Sequence, residues 1–228
     1  MINCILGAGQ VGNVLKDSLH GDINIYDIGE WEKLTDIKCD ILHIAIPYGP
    51  KFKHTVITAK WAFKPKFTII HSTVKPGTSK GIADLYSPIM GRHSDDFSEN
   101  VRGYVKYFAG EYTAYTEVRA AFKLKTDYWS ANTEELEYSK VMSTTRMYWD
   151  LIFQKEVQND CELKGYNFEA VNRDWNMNYN NGIKQKHPHW LRPIYRRMET
   201  DTPGGHCLRP NIHLTDNEIT KYIRKWEK

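Results

Sequence analysis

A glycine-rich turn near the start of the chain has the residue types and spacing that bind a dinucleotide. Gly7, Gly9 and Gly12 form a Gly-x-Gly-x-x-Gly pattern, and Asp27 follows Gly7 by twenty residues. The first glycine permits a tight turn, the second lets backbone N–H groups approach a pyrophosphate, and the third lets a helix pack on the strand. Asp27 would accept from ribose hydroxyls and repel a 2′-phosphate, so the pattern predicts an NAD site. A glycine-rich turn before an ordinary helix is the alternative.

Cys207 lies in the stretch TPGGHCLRPN near the end of the chain and is a candidate nucleophile. A thiol reacts as the thiolate, which the neighbouring Gly-Gly turn, His206 or cations such as Lys140 and Arg209 would favour. A packed thiol without chemistry is the alternative. A second alternative is a zinc site, although the spacings match no familiar pattern and no metal is expected. Its ligands would be His187, His189, Cys207 and His213.

Two further stretches have the composition of ligand sites. Ser72 and Thr73 follow an apolar run, and ligands of open α/β sheets bind beyond the carboxyl ends of strands, so Thr73 is expected to face a cofactor or substrate. Capping of the next helix is the alternative for this pair. The segment Lys184–Arg197 carries five Lys or Arg, two His and no acid. It is a solvated surface or a site for an anionic ligand such as a phosphate, and with few aromatics no nucleic acid is expected.

An ordered series of motifs resembles the UDP-glucose/GDP-mannose dehydrogenase family from Met1 to Leu214. The motifs are CILGAGQVG, IAIP, HSTVKPGT, YSP, ELEYSKVMSTT, YNNG and GGHCLRPN. The resemblance implies an N-terminal Rossmann domain, a long dimerising helix and a helical central region. In the family a UDP-binding domain follows, and the chain resembles a truncated form that stops where this domain would begin.

The resemblance also implies roles for individual residues. Cys207 would capture the aldehyde made from a sugar 6-hydroxyl as a thiohemiacetal, which a second NAD oxidises to a thioester that water hydrolyses. Lys140 would stabilise charge on an oxygen near the reacting carbon, and Thr73 would help to hold a catalytic water. The sugar would contact Tyr179, Asn180, Asn181, Gly182, Gly204 and Gly205. The cofactor is expected at Gly7, Gly9, Gln10, Val11, Gly12, Asp27, Pro47 and Thr73.

Three positions depart from the family pattern. Asn211 replaces a catalytic carboxylate, so it can orient a water but cannot take its proton. Thr144 replaces an Asn, and the family's Ser-Pro-Glu turn reads Ser87-Pro88-Ile89. The chain is therefore predicted to oxidise a sugar nucleotide or related polyhydroxy compound with NAD, using Cys207, Lys140, Thr73, Asn211 and Thr144. The alternatives are an NAD-binding protein without catalysis and a one-step hydroxy-acid dehydrogenase.

Apolar periodicity predicts the elements that position these residues. Strands alternate with helices up to about residue 130, which indicates an open, mostly parallel α/β sheet with helices on both faces. A run of about thirty residues from Asn132 to Gly165 without Pro or Gly predicts one long helix. We therefore expect a Rossmann domain at 1–130 and the long helix with a smaller helical domain at 131–228. The predicted strands are Ile2–Leu6, Ile23–Ile28, Asp40–Pro47, Lys66–Val74 and Gly103–Gly110. Helices are also predicted over KPGTSKGIADL and from Thr215 or Asp216 onwards, and MNYNNGIKQKHPHWLRP is predicted to be a loop.

Composition agrees with a soluble globular protein. Hydrophobic residues make up 41% and charged residues 26% of the 228 residues. The four cysteines are scattered, which is typical of reduced thiols, and no apolar run approaches the length of a membrane span. We expect a cytoplasmic homodimer that binds a small-molecule substrate and has no membrane segment.

Overall fold

The computed structural model describes residues 1–27, 29–30, 37–91, 99, 103–200 and 207–226. The chain divides into two compact units, Met1–Val141 and Met142–Lys228. In the described part of the chain, no helix combines the length and the apolar character that crossing a membrane requires.

The first unit is built on a sheet that has seven strands among the described residues. They are β1 (Ile2–Leu6), β2 (Asp22–Tyr26), β3 (Ile41–Ile44), β4 (Phe67–Ile70), β5 (Leu85–Tyr86), β6 (Lys106–Gly110) and β7 (Asp127–Ser130). Their spatial order is β2-β1-β3-β4-β5-β6-β7, and the neighbours are parallel except for β5 and β6. The predicted α/β fold with a mostly parallel sheet is confirmed, while β5 and β7 were not predicted.

Helices cover both faces of this sheet because the strands bury side chains in both directions. The helices are α1 (Gln10–Ser18), α2 (Phe52–Phe63) and α3 (Tyr112–Arg119). Cys4 and Leu6 of β1 pack in a cluster with α2, and Ile5 between them packs in a cluster with α1 and α3. Alternate residues of a strand point to opposite faces, so a nearly continuous apolar run fits a strand covered on both sides.

The helix predicted over the stretch KPGTSKGIADL is wrong, because residues 75–83 form turns instead. Gly77 and Gly81 have φ angles of +83° and +78°, which a helix does not contain. The Glu137 side chain, fully buried, accepts hydrogen bonds from the backbone N–H groups of Gly77 at 2.5 Å and Ser79 at 2.8 Å, and from the Ser79 hydroxyl at 2.5 Å. The Glu137 carboxylate therefore stabilises this turn conformation through the backbone of Gly77 and Ser79.

The predicted long helix is confirmed as α4 (Thr133–Lys164), which extends over 32 residues. The Asn132 side chain caps its start by accepting from the N–H groups of Glu134 at 3.1 Å and Glu135 at 3.3 Å. Gly165 follows its end with a φ of +67°, a conformation that glycine adopts easily. The first residues of α4 belong to the first unit and the rest to the second.

The second unit is helical in its described part. After α4 come a π-helix at Glu169–Asp174, α5 (Trp175–Ile183), a 3₁₀ turn at Pro188–Trp190, α6 (Leu208–Asn211) and α7 (Glu218–Arg224). Its apolar core joins α4, α6 and α7 through Tyr148, Ile152, Leu208, Ile212 and Ile223. The helical domain predicted after the long helix is therefore confirmed as a fold class.

Two boundaries in the second unit differ from the sequence-based prediction. The stretch MNYNNGI was predicted as a loop but lies in α5. Helical geometry persists there because Asn side chains find partners nearby, as when Asn176 Nδ2 donates to Asn172 Oδ1 at 3.1 Å. The last helix was predicted to start at Thr215 or Asp216 but begins at Glu218, since Asn217 and Thr220 form a reciprocal capping box.

Candidate active site

The glycine-rich turn lies at the carboxyl ends of β1, β2 and β3. Gly7 follows β1 with a φ of +112°, and its N–H donates to the carbonyl of Tyr26, the last residue of β2, at 2.8 Å. A Cβ at Gly7 would stand 2.5 Å from the carbonyl oxygen of Ala45, the residue after β3. Any side chain would therefore displace the turn from the sheet. The chain leaves β1 at the point where strand order reverses, which is where open α/β sheets bind ligands.

The helix that follows is packed directly on this turn. A Cβ at Gly12 would stand 1.8 Å from the Gly7 carbonyl oxygen, so only glycine allows this approach. Gly9 is the N-cap of α1, and a Cβ there would have no described atom within 4 Å. Gln10 and Val11 form the first turn of α1, which contains no acidic residue. The N-terminus of α1 thus presents backbone N–H groups and the positive end of the helix dipole to open space.

The other predicted cofactor residues follow neighbouring strands. Asp27 is exposed directly after β2, and its backbone N–H donates to the Glu30 carboxylate at 2.9 Å. Pro47 is exposed after β3, and Thr73 is half-buried after β4. Ser72 caps no helix, because its hydroxyl donates to the Ile46 carbonyl at 2.6 Å and so joins the loops after β3 and β4. The capping alternative for Ser72 and Thr73 is therefore wrong.

Lys140 lies on the part of α4 that belongs to the first unit. Its ammonium group donates to the carbonyl of Ile89, in the segment after β5, at 2.8 Å. Lys106 of β6 donates to the two preceding carbonyls, those of Ser87 at 2.9 Å and Pro88 at 3.1 Å. The segment Ser87-Pro88-Ile89 is thus held by two lysines through its backbone.

Asn3, His43 and His71 form a buried chain of polar contacts that sequence reasoning missed. Asn3 Nδ2 donates to the His20 carbonyl at 2.9 Å, and Asn3 Oδ1 lies 3.1 Å from His43 Nε2. His43 Nδ1 lies 3.1 Å from His71 Nε2, and His71 Nδ1 donates to the Ser87 carbonyl at 2.6 Å. The chain crosses β1, β3 and the end of β4, so its members are far apart in sequence and no local pattern marks them.

Burial determines the protonation state of His43 and His71. Burial, followed by the positive charge of Lys106, lowers the pKa of His43 to about 3. The same two causes, with a smaller contribution from His43, lower the pKa of His71 well below its usual value. Burial and the nearby Lys140 in turn lower the pKa of Lys106. Both imidazoles are therefore neutral at pH 7.

In the second unit, Cys207 and Asn211 lie at the two ends of α6. Cys207 is half-buried at the N-cap, and none of the four cysteines, all of which lie in the described part, forms a disulfide. Asn211 is largely buried, and its Nδ2 donates to Thr144 Oγ1 on α4 at 3.3 Å. The structure thus brings together Asn211 and Thr144, two of the predicted catalytic residues.

Two of the residues predicted to contact a sugar, Tyr179 and Asn180, contact the same arginine. The guanidinium of Arg192 lies 3.7 Å from the ring centre of Tyr179. Asn180 donates to the Arg192 carbonyl and accepts from its N–H, each at 2.9 Å. Asn181 accepts from Lys184 at 3.4 Å, and Gly182 is exposed. These residues lie on α5 and not in a loop, whereas Gly204, Gly205 and His206 lie outside the described residues.

The zinc alternative finds no support in the described part of the chain. No group of three or more His, Cys, Asp or Glu side chains is gathered there in an arrangement that could hold a metal ion. The rings of His187 and His189 instead pack against Trp190, with centroids 5.3 Å and 5.8 Å away.

Comparisons with known proteins report on the fold. No protein-family model and no curated protein sequence matches the chain. Among solved structures, it is similar to a UDP-D-ManNAc dehydrogenase from Pyrococcus horikoshii, with a TM-score of 0.64 and 15% identity over 99% of this chain and 68% of that one. It is also similar to a UDP-glucose dehydrogenase from Pyrobaculum islandicum, with a TM-score of 0.63 and 14% identity over 99% of this chain and 64% of that one.

A protein of a different substrate class has an equally similar fold. The 3-hydroxyisobutyrate dehydrogenase of Mycobacterium tuberculosis, solved with L-serine, gives a TM-score of 0.65 and 11% identity over 98% of this chain and 91% of that one. The chain therefore has the Rossmann-type fold that nucleotide-sugar dehydrogenases share with this hydroxy-acid dehydrogenase, and it spans about two thirds of the length of the former.

Proposed function

We propose that the chain is a dehydrogenase that uses a nicotinamide dinucleotide, NAD in preference to NADP, to oxidise a hydroxyl group of a nucleotide sugar or a related polyhydroxy compound. The observation that carries the proposal is the turn from Gly7 to Gly12. Gly7 has a left-handed backbone conformation and lies against the end of β3, and Gly12 lets α1 contact the turn. The N-terminus of α1 faces open space. Asp27 supplies a carboxylate at the end of the adjacent strand.

These residues fit a dinucleotide. The N–H groups at the start of α1 would hold the pyrophosphate, and the open space at Gly9 is what a phosphate oxygen needs to approach them. Asp27 would accept from ribose hydroxyls and disfavour a 2′-phosphate, which is the basis for preferring NAD. Pro47 and Thr73, after β3 and β4, belong to the same edge of the sheet. When bound, the dinucleotide would supply the hydride acceptor for the oxidation.

The proposed roles of the remaining residues follow from their chemistry. The Cys207 thiolate would add to the carbonyl carbon of an aldehyde to give a thiohemiacetal. A second molecule of the dinucleotide would accept a hydride from this adduct to leave a thioester, which water would hydrolyse to the acid and the free thiol. Because Asn211 Nδ2 donates to Thr144, the amide oxygen is the group that Asn211 offers to this water as an acceptor. Lys140 would stabilise negative charge on a substrate oxygen. We further propose a homodimer through α4, on which Met147, Phe153 and Leu163 are exposed.

A one-step hydroxy-acid dehydrogenase is the second candidate. Two observations favour it: Asn211 cannot accept the proton that thioester hydrolysis releases, and a hydroxy-acid dehydrogenase has a similar fold over 91% of its length. In this case Lys140 would serve as the acid and base, and Cys207 would have no role. A protein that binds NAD without turnover is the third candidate.

The stoichiometry of NADH formation separates these candidates. Purified chain is incubated with NAD or NADP and a panel of UDP-sugars, GDP-sugars and small hydroxy acids, and NADH is followed by absorbance. Two NADH per substrate molecule would support the thioester route, and one would support single oxidation. The expected result is two NADH with a nucleotide sugar, and a faster reaction with NAD than with NADP.

A pair of cysteine variants completes the experiment. Cys207→Ala should abolish the second oxidation, while Cys39→Ala, which removes another half-buried thiol, should leave the stoichiometry unchanged. Binding of NAD without turnover on any member of the panel, together with no effect of Cys207→Ala, would show that the chain is not an enzyme of this kind.

A further inference from the structure

Lys106 is a buried lysine, and the burial of such a polar group needs an explanation. It is 7% exposed on β6, and the described part of the chain provides no carboxylate that pairs with it. Its ammonium group lies 5.7 Å from the ring centres of Phe108 and Phe122. Burying an ammonium group is costly, so a lysine at such a position indicates a specific use of its hydrogen bonds.

Those hydrogen bonds converge on the segment Ser87–Ile89. Lys106 donates to the carbonyls of Ser87 and Pro88, and Lys140 donates to the carbonyl of Ile89. Three successive carbonyls are therefore each bound by a lysine. His71 adds a second donor to Ser87 at 2.6 Å, and the Ser87 hydroxyl anchors the segment by donating to the Tyr107 carbonyl at 2.6 Å.

The two lysines reach this segment from different elements. Lys106 approaches from the sheet and Lys140 from α4, and each ammonium group carries a positive charge when it is protonated. Like charges repel, and the charge of Lys140 accordingly helps to lower the pKa of Lys106, after burial. The carbonyl dipoles of Ser87, Pro88 and Ile89 accept hydrogen bonds from both groups and so offset the repulsion.

We propose that Lys106 is a positioning residue for Lys140, because it fixes the backbone of Ser87–Ile89 and thereby the Ile89 carbonyl that orients the Lys140 ammonium group. The catalytic part of this inference rests on the proposed function, in which Lys140 stabilises charge on a substrate oxygen. The positioning part rests only on contacts within the first unit. In the absence of Lys106, the Ile89 carbonyl would lose its fixed place and Lys140 its orientation.

The first test is hydrogen exchange in Lys106→Met, with Lys60→Met as the matched control. Lys60 also donates to a backbone carbonyl, that of Ile82 at 3.1 Å, but in another loop. Amides of residues 89–91 should exchange at least about tenfold faster in Lys106→Met, equivalent to about 1.4 kcal/mol, because two charge-assisted hydrogen bonds are lost. They should be unchanged in Lys60→Met. Exchange that is unchanged in Lys106→Met, or faster to the same extent throughout the unit, would overturn the proposal.

The second test covers the case in which Lys106→Met does not fold. In Lys140→Met, the buried lysine is intact and a half-exposed one is replaced. The pKa of Lys106, followed by the ¹³Cε shift in protein labelled with ¹³C-lysine, should rise because a neighbouring positive charge has been removed. An unchanged pKa would show that the two ammonium groups are not coupled and would refute the inference.

Activity distinguishes this proposal from the proposed function. If the chain turns over a panel substrate, Lys106→Met should lower kcat and leave the KM for NAD unchanged, and Lys106→Arg should restore part of the rate. A Lys106→Met enzyme with the kcat of the original chain would contradict positioning. Exchange and titration need no substrate, so their outcome is independent of whether the chain proves to be a dehydrogenase.

Discussion

Acidification should destabilise the first unit through His43. This side chain is completely buried on β3, between Asn3 and His71, with the ring of Phe122 against it and the charge of Lys106 nearby. Burial, and then the charge of Lys106, lowers its pKa from 6.5 to about 3. The unfolded chain therefore binds a proton at His43 in a pH range in which the folded chain does not.

The sign and size of the effect follow from this difference. His43 contributes its full stabilisation above pH 6.5 and loses it as the pH falls towards about 3. Each pH unit in this window lowers the free energy of unfolding by about 1.4 kcal/mol, so the full window corresponds to about 5 kcal/mol as an order of magnitude. His71, whose pKa burial also lowers, adds to the loss.

Urea denaturation followed by circular dichroism at several pH values between 7 and 4 measures this loss. In His43→Leu the titrating group is absent, so the stability advantage of the original chain over the variant should shrink by about 1.4 kcal/mol per pH unit below pH 6.5. His54→Gln, which replaces an exposed histidine, should follow the original chain. Parallel curves for the original chain and His43→Leu would refute the argument, because they would show that His43 titrates equally in both states.

Three further predictions concern the turn and the loop that border the candidate site. Gly12→Ala should lower the free energy of unfolding by about 3 kcal/mol or more in urea, since its Cβ would stand 1.8 Å from a backbone oxygen. Gly9→Ala, which has open space, should fold normally and bind NAD at least about tenfold more weakly by calorimetry, and equal affinity would argue against a pyrophosphate there. Glu137→Gln should lower the free energy of unfolding by about 2–4 kcal/mol, because its amide nitrogen replaces one carboxylate oxygen and cannot accept from the N–H of Gly77 or, in the other orientation of the amide, from the N–H and O–H groups of Ser79. The exposed Glu135→Gln should cost less than about 1 kcal/mol, and an equal cost for both would contradict the role of Glu137.

The dinucleotide turn could be predicted because its signals are local. The apolar run of β1, the glycines at Gly7, Gly9 and Gly12, and the helical spacing of α1 lie within seventeen residues of one another. Each glycine is required by the backbone around it, through a positive φ at Gly7 and a backbone contact at Gly12. The long helix α4 could be predicted for a similar reason, since Asn132 and Gly165 mark both of its ends.

The errors arose where partners distant in sequence decide the local structure. Pro76, Gly77 and Thr78 resemble a helix start, but Gly77 and Ser79 donate to Glu137, about sixty residues further on. Strand β5 has two residues, which is too short for an alternating pattern to be recognised. The buried histidine chain has separations of 40, 28 and 16 residues, so no sequence window contains it.

The buried row formed by Asn3, His43 and His71 makes four polar contacts, and each of them needs one hydrogen between the two facing atoms. It begins at the His20 carbonyl and ends at the Ser87 carbonyl, and both can only accept. In such a row a neutral amide or imidazole contributes one hydrogen, so three side chains fill three of the four contacts. His43 Nδ1 and His71 Nε2 then face each other with a lone pair on each nitrogen and no hydrogen between them. If the Asn3 amide is flipped, the contact that lacks a hydrogen becomes the one between Asn3 and the His20 carbonyl.

One added proton between the two imidazoles would supply the missing hydrogen and would make the pair cationic. The charge of Lys106, which donates to the carbonyls of Ser87 and Pro88, opposes that proton. The charge of Lys106 therefore disfavours a proton between His43 and His71. The lysine that orders the backbone after β5 thus also sets how readily the histidine pair takes up a proton.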